Sequence, residues 1–288
     1  MSEFDLEPED RYFESSRLRI HYAVWGDESK PPLLLVHGGR DHARSWDMVA
    51  RAMTGRFCVC VPDLRGHGDS DWATGGAYSV SDHVGDLAAL VETIGAASVN
   101  LVGHSLGGRV VLDYASAFPD RVSKVVAIEG FGRVGSERPA IERLRAYLRL
   151  LGEMQGRRPH PYESLEAAEA RMLEANQRLS PEMVRHLTSH AVRRQEDGTY
   201  VWKFDNYVRL TSPTEWGPDD TEVLWRNIKA PTLHIGGSDS WGKRFPDGRE
   251  ALAKHVPNSR TVIVDGAGHW VHHDQFEEFV RLIREFLG

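Results

Sequence analysis

The chain has 288 residues, 41% hydrophobic and 27% charged, with 35 basic side chains against 42 acidic ones and a net charge of −7, which suits one large folded core of an ordinary globular protein. A mildly acidic chain without a basic stripe excludes a nucleic-acid partner, because phosphate contacts need clustered Lys and Arg. Apolar runs such as 33–36 fall far short of the roughly 20 residues that span a bilayer, and the acidic start MSEFDLEPED has neither the basic n-region nor the apolar h-region of a secretory signal.

In chain order, two hydrophobic periods alternate. RLRIHYAVW (17–25) switches between apolar and polar residues, as a half-buried strand does. PPLLLVHGG (31–39), FCVCVPD (57–63), SVNLVGHS (98–105) and KVVAIEG (124–130) hold short apolar runs, too short for helices, and read as buried strands. Helical stretches fall between them at 42–53, at 80–94 with Ser81 as N-cap, and at 106–117. This alternation predicts an α/β fold, a mostly parallel central sheet flanked by helices. Cys58 and Cys60 lie two apart on one strand face, so they read as small buried residues, not a disulfide, and a cytoplasmic location is expected.

From 131 to 228 the character changes to Arg, Glu, Leu and Ala. Ile141, Leu144, Leu148 and Leu151 recur at helical spacing, as do Leu165, Met172, Leu173 and Leu179. Ser180–Pro181–Glu182 reads as a helix start, and Asp197–Gly198 as a turn before TYVWKFD. The region reads as a helical insertion whose Arg/Glu alternation is a solvated face. Strand signals return in PTLHIGGSD (231–239) and RTVIVDGAGH (260–269). The final stretch then sets Phe276, Phe279, Val280, Ile283 and Phe286 on one helical stripe.

Gly103–His104–Ser105–Leu106–Gly107 fits G-x-S-x-G in a strand, sharp turn, helix context. The glycines allow a steep turn that lifts the serine hydroxyl clear of both elements, and the helix N-terminus adds partial positive charge. A serine hydroxyl needs a base. Of 14 histidines, His269 lies directly after the last strand and before the last helix, whereas His37, His67 and His104 at other strand ends read as structural. The imidazole needs a carboxylate to orient it. Asp239 follows the 231–235 strand and fits the chain order Ser, Asp, His; Glu129, at the end of the strand after the serine helix, is the alternative. The N–H groups of Leu106 and Gly39 are the natural donors to an oxyanion.

HGG at 37–39 followed by Trp46, DLRGHGDS at 63–70, GHSLGG at 103–108, PTLHIGGSD at 231–239 and GAGHW around His269 together resemble the α/β-hydrolase superfamily over about 20–288. The resemblance implies Ser105 as nucleophile, His269 as base, an acid at Asp239 and an oxyanion hole from Gly39 and Leu106. It also puts 131–228 at the family's lid position, over a core of 1–130 and 229–288. The chain departs from the family where the run GGSDS shifts the usual G-x-x-D register, which keeps Glu129 open as the acid. Relatives that open epoxides or remove halide carry an aspartate at the nucleophile position, and Ser105 argues against both activities.

His269, His272, His273 and Asp274 form an HxxHHD run, but GHW with a following acid resembles the ordinary end of this superfamily, so neither a metal nor another cofactor is expected. The chain has no G-x-x-x-x-G-K-[ST], which disfavours a nucleoside-triphosphate site. Arg40 and His42, with Trp46, His104 and Trp241, are the candidate substrate contacts. Of Tyr147, Tyr162, Tyr200, Trp202, Phe204, Tyr207 and Trp216, most are expected in the lid core and the rest in an apolar pocket. The expected function is hydrolysis of a small to medium ester, thioester or lactone through an acyl-enzyme. The alternatives are carbon–carbon bond hydrolysis of a diketone and a hydrolase-like receptor without turnover.

Overall fold

The computed structural model describes residues 6–130, 138–240 and 252–288. Its strands are β1 (Glu9–Ser15), β2 (Leu18–Trp25), β3 (Pro32–Val36), β4 (Cys58–Pro62), β5 (Val99–His104), β6 (Val122–Ile128), β7 (Val192–Arg194), β8 (Tyr200–Trp202), β9 (Thr232–Gly237) and β10 (Ser259–Val264). The helices are α1 (Asp47–Met53), α2 (Val80–Thr93), α3 (Leu106–Ala117), α4 (Ala140–Met154), α5 (Leu165–Ala175), α6 (Pro181–Ala191), α7 (Pro218–Arg226) and the C-terminal helix Phe276–Leu287. Among these residues, eight strands make one sheet in the order β1-β2-β4-β3-β5-β6-β9-β10. The six strands from β4 to β10 in that order run parallel, and β1 and β2 form an antiparallel edge.

Strict alternation along the central strands divides the core in two. Leu34 and Val36 of β3, Cys58 and Cys60 of β4, and Val125 and Ala127 of β6 face α2 and α3, packing with Leu87, Leu90, Val110 and Tyr114. Leu33, Leu35, Val59, Val61, Val126 and Ile128 face the other way, against Trp46, Val49 and Met53 and against Phe279 and Ile283 of the C-terminal helix. Burial on both faces is why these strands read as continuous apolar runs. Each fully buried Leu or Val contributes about 1.5–3 kcal/mol.

Two details differ from the sequence expectations. β1 carries the charged run EDRYFES and pairs with β2 from Glu9↔Val24 to Ser15↔Leu18; as an edge strand it tolerates polar residues on its open side. Helix α2 is capped by Ser79, not Ser81. The Ser79 hydroxyl accepts from Asp82 N–H while the Asp82 carboxylate accepts from Ser79 N–H, a reciprocal cap that Ser81 cannot form because Val84 stands three residues on.

Between β6 and β9, α4 to α6 and the β7–β8 hairpin precede α7. The expected helix start at Ser180–Pro181 is present, with the Ser180 hydroxyl accepting from Met183 N–H. Leu179, Val184 and Leu187 form a small separate cluster with Met172 and Met183. The α4 stripe behaves otherwise: Ile141, Leu144 and Leu148 are exposed. α7 returns to the sheet, with Trp225 fully buried in the same cluster as Tyr114. Among the described residues no helix is long and apolar enough to cross a membrane.

Candidate active site

The C-terminal ends of three neighbouring strands lead into residues with left-handed backbone: Arg40 (φ 65°) after β3, Ser105 (φ 54°) after β5 and Glu129 (φ 50°) after β6. The other non-glycine residues of this kind among those described, Ser16 and Arg17, make the two-residue turn between β1 and β2, where that geometry is ordinary. At the sheet edge it costs about 1–3 kcal/mol per residue, and packing holds it in place. A Cβ on Gly103 would collide with the Gly107 carbonyl, and one on Gly107 with the Val36 carbonyl, so the turn around Ser105 requires both glycines. Ser105 N–H donates to Ile128 O at 2.8 Å, Glu129 N–H to Ile235 O at 2.9 Å and Asp239 N–H to Ala267 O at 2.8 Å. These bonds step across the edge and tie each strand end to the next.

Ser105 is partly exposed and opens into a cleft of about 770 Å³ whose walls include Gly39, Arg40, Leu106, Asp239, His269 and Trp270. The loop carrying Gly38 and Gly39 runs close above the turn: a Cβ on Gly38 would lie 2.9 Å from His104 Nδ1 and 3.3 Å from Ser105 Cβ. His37 anchors that loop. Its Nε2 accepts from Leu64 N–H at 2.9 Å, which leaves Nδ1–H to donate to Gly38 O at 2.7 Å. Leu106 begins α3, so its N–H has no partner within the helix. His104 is buried; its Nε2–H donates to His269 O at 2.9 Å, and its ring lies 4.7 Å from that of His269.

His269 Nδ1 meets a carboxylate oxygen, Glu129 Oε2, at 3.6 Å. Glu129 is buried; its Oε1 accepts from Gly237 N–H at 2.8 Å and its Oε2 from the Ser240 hydroxyl at 2.6 Å. Burial works to raise the Glu129 pKa, but the nearby His269 and the hydrogen bonds from Ser240 and Gly237 outweigh it and hold the carboxyl below its usual range. Asp239, which the chain order favoured, is half-exposed, and its Oδ2 accepts from Arg178 at 2.9 Å. The end of β9 and the turn after it thus reach His269's surroundings through Gly237 and Ser240, whose donors hold Glu129. Arg178 also donates to Gly266 O at 2.8 Å, joining the α5–α6 loop to the sheet edge.

Of the expected substrate contacts, Arg40 and His104 line the cleft, whereas His42 and Trp46 turn inward. Trp46 is fully buried and stacks on His272 at 4.5 Å. The His42 ring donates through Nε2–H to Leu187 O at 3.0 Å, and burial lowers its pKa to about 3. Trp241 lies outside the described residues. A second cavity of about 440 Å³ shares Gly39, Arg40, Asp41, Ala175 and Trp270 with the cleft. Tyr162, Trp202 and Phe204 line it, together with Arg209 and with Arg171, an arginine of the Arg/Glu alternation that the sequence reading assigned to a solvated face. Tyr147 and Trp216 line a different cavity beside α4. In the HxxHHD run, Asp274 Oδ2 accepts from Gly268 N–H at 2.7 Å and His272 stacks on Trp46. Among the described residues, the cluster with metal-ligand spacing is Asp47, His186 and His190. There both Asp47 oxygens already accept from Arg44 at 2.7–2.9 Å, so the donor set does not suit a cation.

The family model for the alpha/beta hydrolase fold matches residues 31–276. An esterase of Mycobacterium tuberculosis is 28% identical over 271 residues, covering 91% of this chain and 84% of that protein. The 2-(acetamidomethylene)succinate hydrolase of Mesorhizobium japonicum is 25% identical over 270 residues, covering 93% and 92%. The thioesterase domain from the curacin biosynthetic pathway superposes with a TM-score of 0.84 over 96% of this chain and 99% of that one, at 22% identity, a likeness of fold.

Proposed function

The chain belongs to the alpha/beta hydrolase family, and from that premise we propose that it is a serine hydrolase cleaving a small to medium carboxylic ester or thioester through an acyl-enzyme. In this reading Ser105 is the nucleophile, His269 the base and Glu129 the orienting acid. The observation that carries it is the approach of His269 Nδ1 to the buried, ionised Glu129 in the cleft that the left-handed Ser105 faces. With Nδ1 turned to the carboxylate, Nε2 is the nitrogen this reading assigns to the serine.

Ser105 Oγ attacks the substrate carbonyl while His269 Nε2 takes its proton. The Glu129 charge stabilises the resulting imidazolium. The N–H groups of Gly39 and Leu106 donate to the oxyanion, and the positive end of α3 adds to their field. His269 then passes the proton to the leaving alcohol or thiol as its bond to the acyl carbon breaks. Water, deprotonated by the same imidazole, releases the acid and restores Ser105. The reading also makes 131–228 a lid over a core of 1–130 and 229–288; support comes from the side chains that this segment adds to the second cavity, Trp202 and Phe204 among them.

A fluorophosphonate is expected to label the native protein at Ser105, and Ser105→Ala to abolish both labelling and hydrolysis of a 4-nitrophenyl ester. A native protein that neither labels nor turns over any ester would overturn the reading in favour of a hydrolase-like receptor.

A further inference from the structure

The second cavity has a charge the catalytic reading does not use. Three arginines, Arg40, Arg171 and Arg209, line one space of about 440 Å³ in a chain whose net charge is −7. Among the described residues Arg40 and Arg209 have no carboxylate partner. Arg171 meets only the exposed Glu174, at 3.4 Å, a contact worth little in water. The acidic residue of the lining, Asp41, is already engaged: its oxygens accept from His42 N–H at 2.9 Å and from the Ser45 hydroxyl at 3.1 Å. Burial, and then the like charges of Arg40, Arg157 and Arg171, push Arg209 below its ordinary pKa. Such convergence is unfavourable until an anion arrives. Arg209 also lies over the Phe204 ring at 5.7 Å, a cation–π contact that directs its guanidinium. Met172, Leu187 and Trp202 add an apolar stretch of wall beside these arginines.

We propose that this cavity binds a carboxylate carried by the substrate away from its reacting carbonyl, with Arg40, Arg171 and Arg209 as the cationic wall and the aromatic side chains around the intervening hydrocarbon. The reacting carbonyl rests on the serine-hydrolase reading; the anion site does not. Arg40 lines both spaces, so it stands where the acyl chain would pass from the cleft into the cavity. Guanidinium forks suit this task because they take a carboxylate through two parallel hydrogen bonds. The substrate class is therefore the half-ester or half-thioester of a dicarboxylic acid, not a neutral fatty ester.

The test uses the Ser105→Ala protein, which holds esters without consuming them, and reads binding by calorimetry. The ligands are the monomethyl esters of glutarate, adipate and suberate, each paired with its dimethyl ester. At least one monoester is expected to bind about tenfold or more tighter than its uncharged partner. That preference should shrink in high salt, collapse in Arg171→Gln/Arg209→Gln, and return in part in Arg209→Lys, which keeps the charge but not the fork. Equal or weaker binding of every monoester would overturn the proposal, as would a preference that survives the double substitution. Inorganic phosphate displacing the monoesters at equal concentration would overturn the carboxylate assignment in favour of a phosphate-bearing leaving group. No turnover is read, so absence of the charge preference leaves the serine-hydrolase reading standing, and an unlabelled Ser105 leaves this one standing.

Discussion

Replacing Glu129 by Gln removes one negative charge from beside His269 and changes little else in shape. The Nδ1 to Oε2 separation is 3.6 Å. At an effective dielectric of about 20, two unit charges that far apart attract by about 4.6 kcal/mol. In the proposed mechanism the imidazole gains its charge on taking the serine proton, so nearly all of this falls on the transition state. With about 1.4 kcal/mol per tenfold in rate, the expected loss in kcat is on the order of 10³ to 10⁴. The Gln carbonyl can still accept from Gly237 N–H, so the fold should persist, and a thermal melt of the variant controls for that. Asp239→Asn is the matched comparison. Its carboxylate pairs with Arg178 at a half-exposed position, where a pair contributes about 0–1 kcal/mol, so kcat should stay within about tenfold of wild type. Both variants are assayed with one 4-nitrophenyl ester under saturating conditions. If Asp239→Asn is the crippled enzyme and Glu129→Gln retains its rate, the geometric argument fails.

Two further outcomes follow from the burial pattern. Burial lowers His42 and His67 to about 3 and His234 and His273 to about 4, whereas in the unfolded chain they titrate near the ordinary value of about 6.5. Between those limits the unfolded chain binds the extra protons, so this stability is present above about pH 6.5 and is lost as pH falls, by up to about 1.4 kcal/mol per histidine per pH unit. Tm should drop steeply from about pH 7 to about pH 5, and a flat profile would refute it. Gly107→Ala drives a methyl into the Val36 carbonyl, so it should cost about 1–3 kcal/mol in a urea titration; unchanged stability would show that the turn has room the structure denies.

The sheet was legible because its period is short and repeated: Leu33 and Leu35 against Leu34 and Val36 is alternation that sequence displays openly. The serine turn was legible for a related reason, since close backbone approach leaves glycine as its signature. The choice between Asp239 and Glu129 was not. Both stand at the same sheet edge, and which carboxylate turns inward depends on the left-handed backbone at Glu129, a conformation that a glutamate does not advertise. His42 and Trp46 follow the HGG loop closely in sequence, but a tight helical turn over Ala43–Trp46 sends both into the interior. The arginines of the second cavity were hidden by composition. Arg171 and Arg209 come from a stretch full of surface arginines, and tertiary packing alone separates those that face a cavity from those that face water.

The pairing of β6 with β9, from Val125↔Thr232 to Ile128↔Ile235, has an evolutionary consequence. Backbone bonds between these two strands, and the bonds that step along their ends, are indifferent to the identity of the long intervening excursion. That excursion nonetheless furnishes Tyr162, Met172, Trp202, Phe204, Arg171 and Arg209 to the cavity. On the proposed reading, bond-breaking apparatus and molecular taste are thus inscribed in separable lengths of polypeptide, so drift in the excursion would retune what is accepted while hydroxyl, imidazole and carboxylate stay pinned.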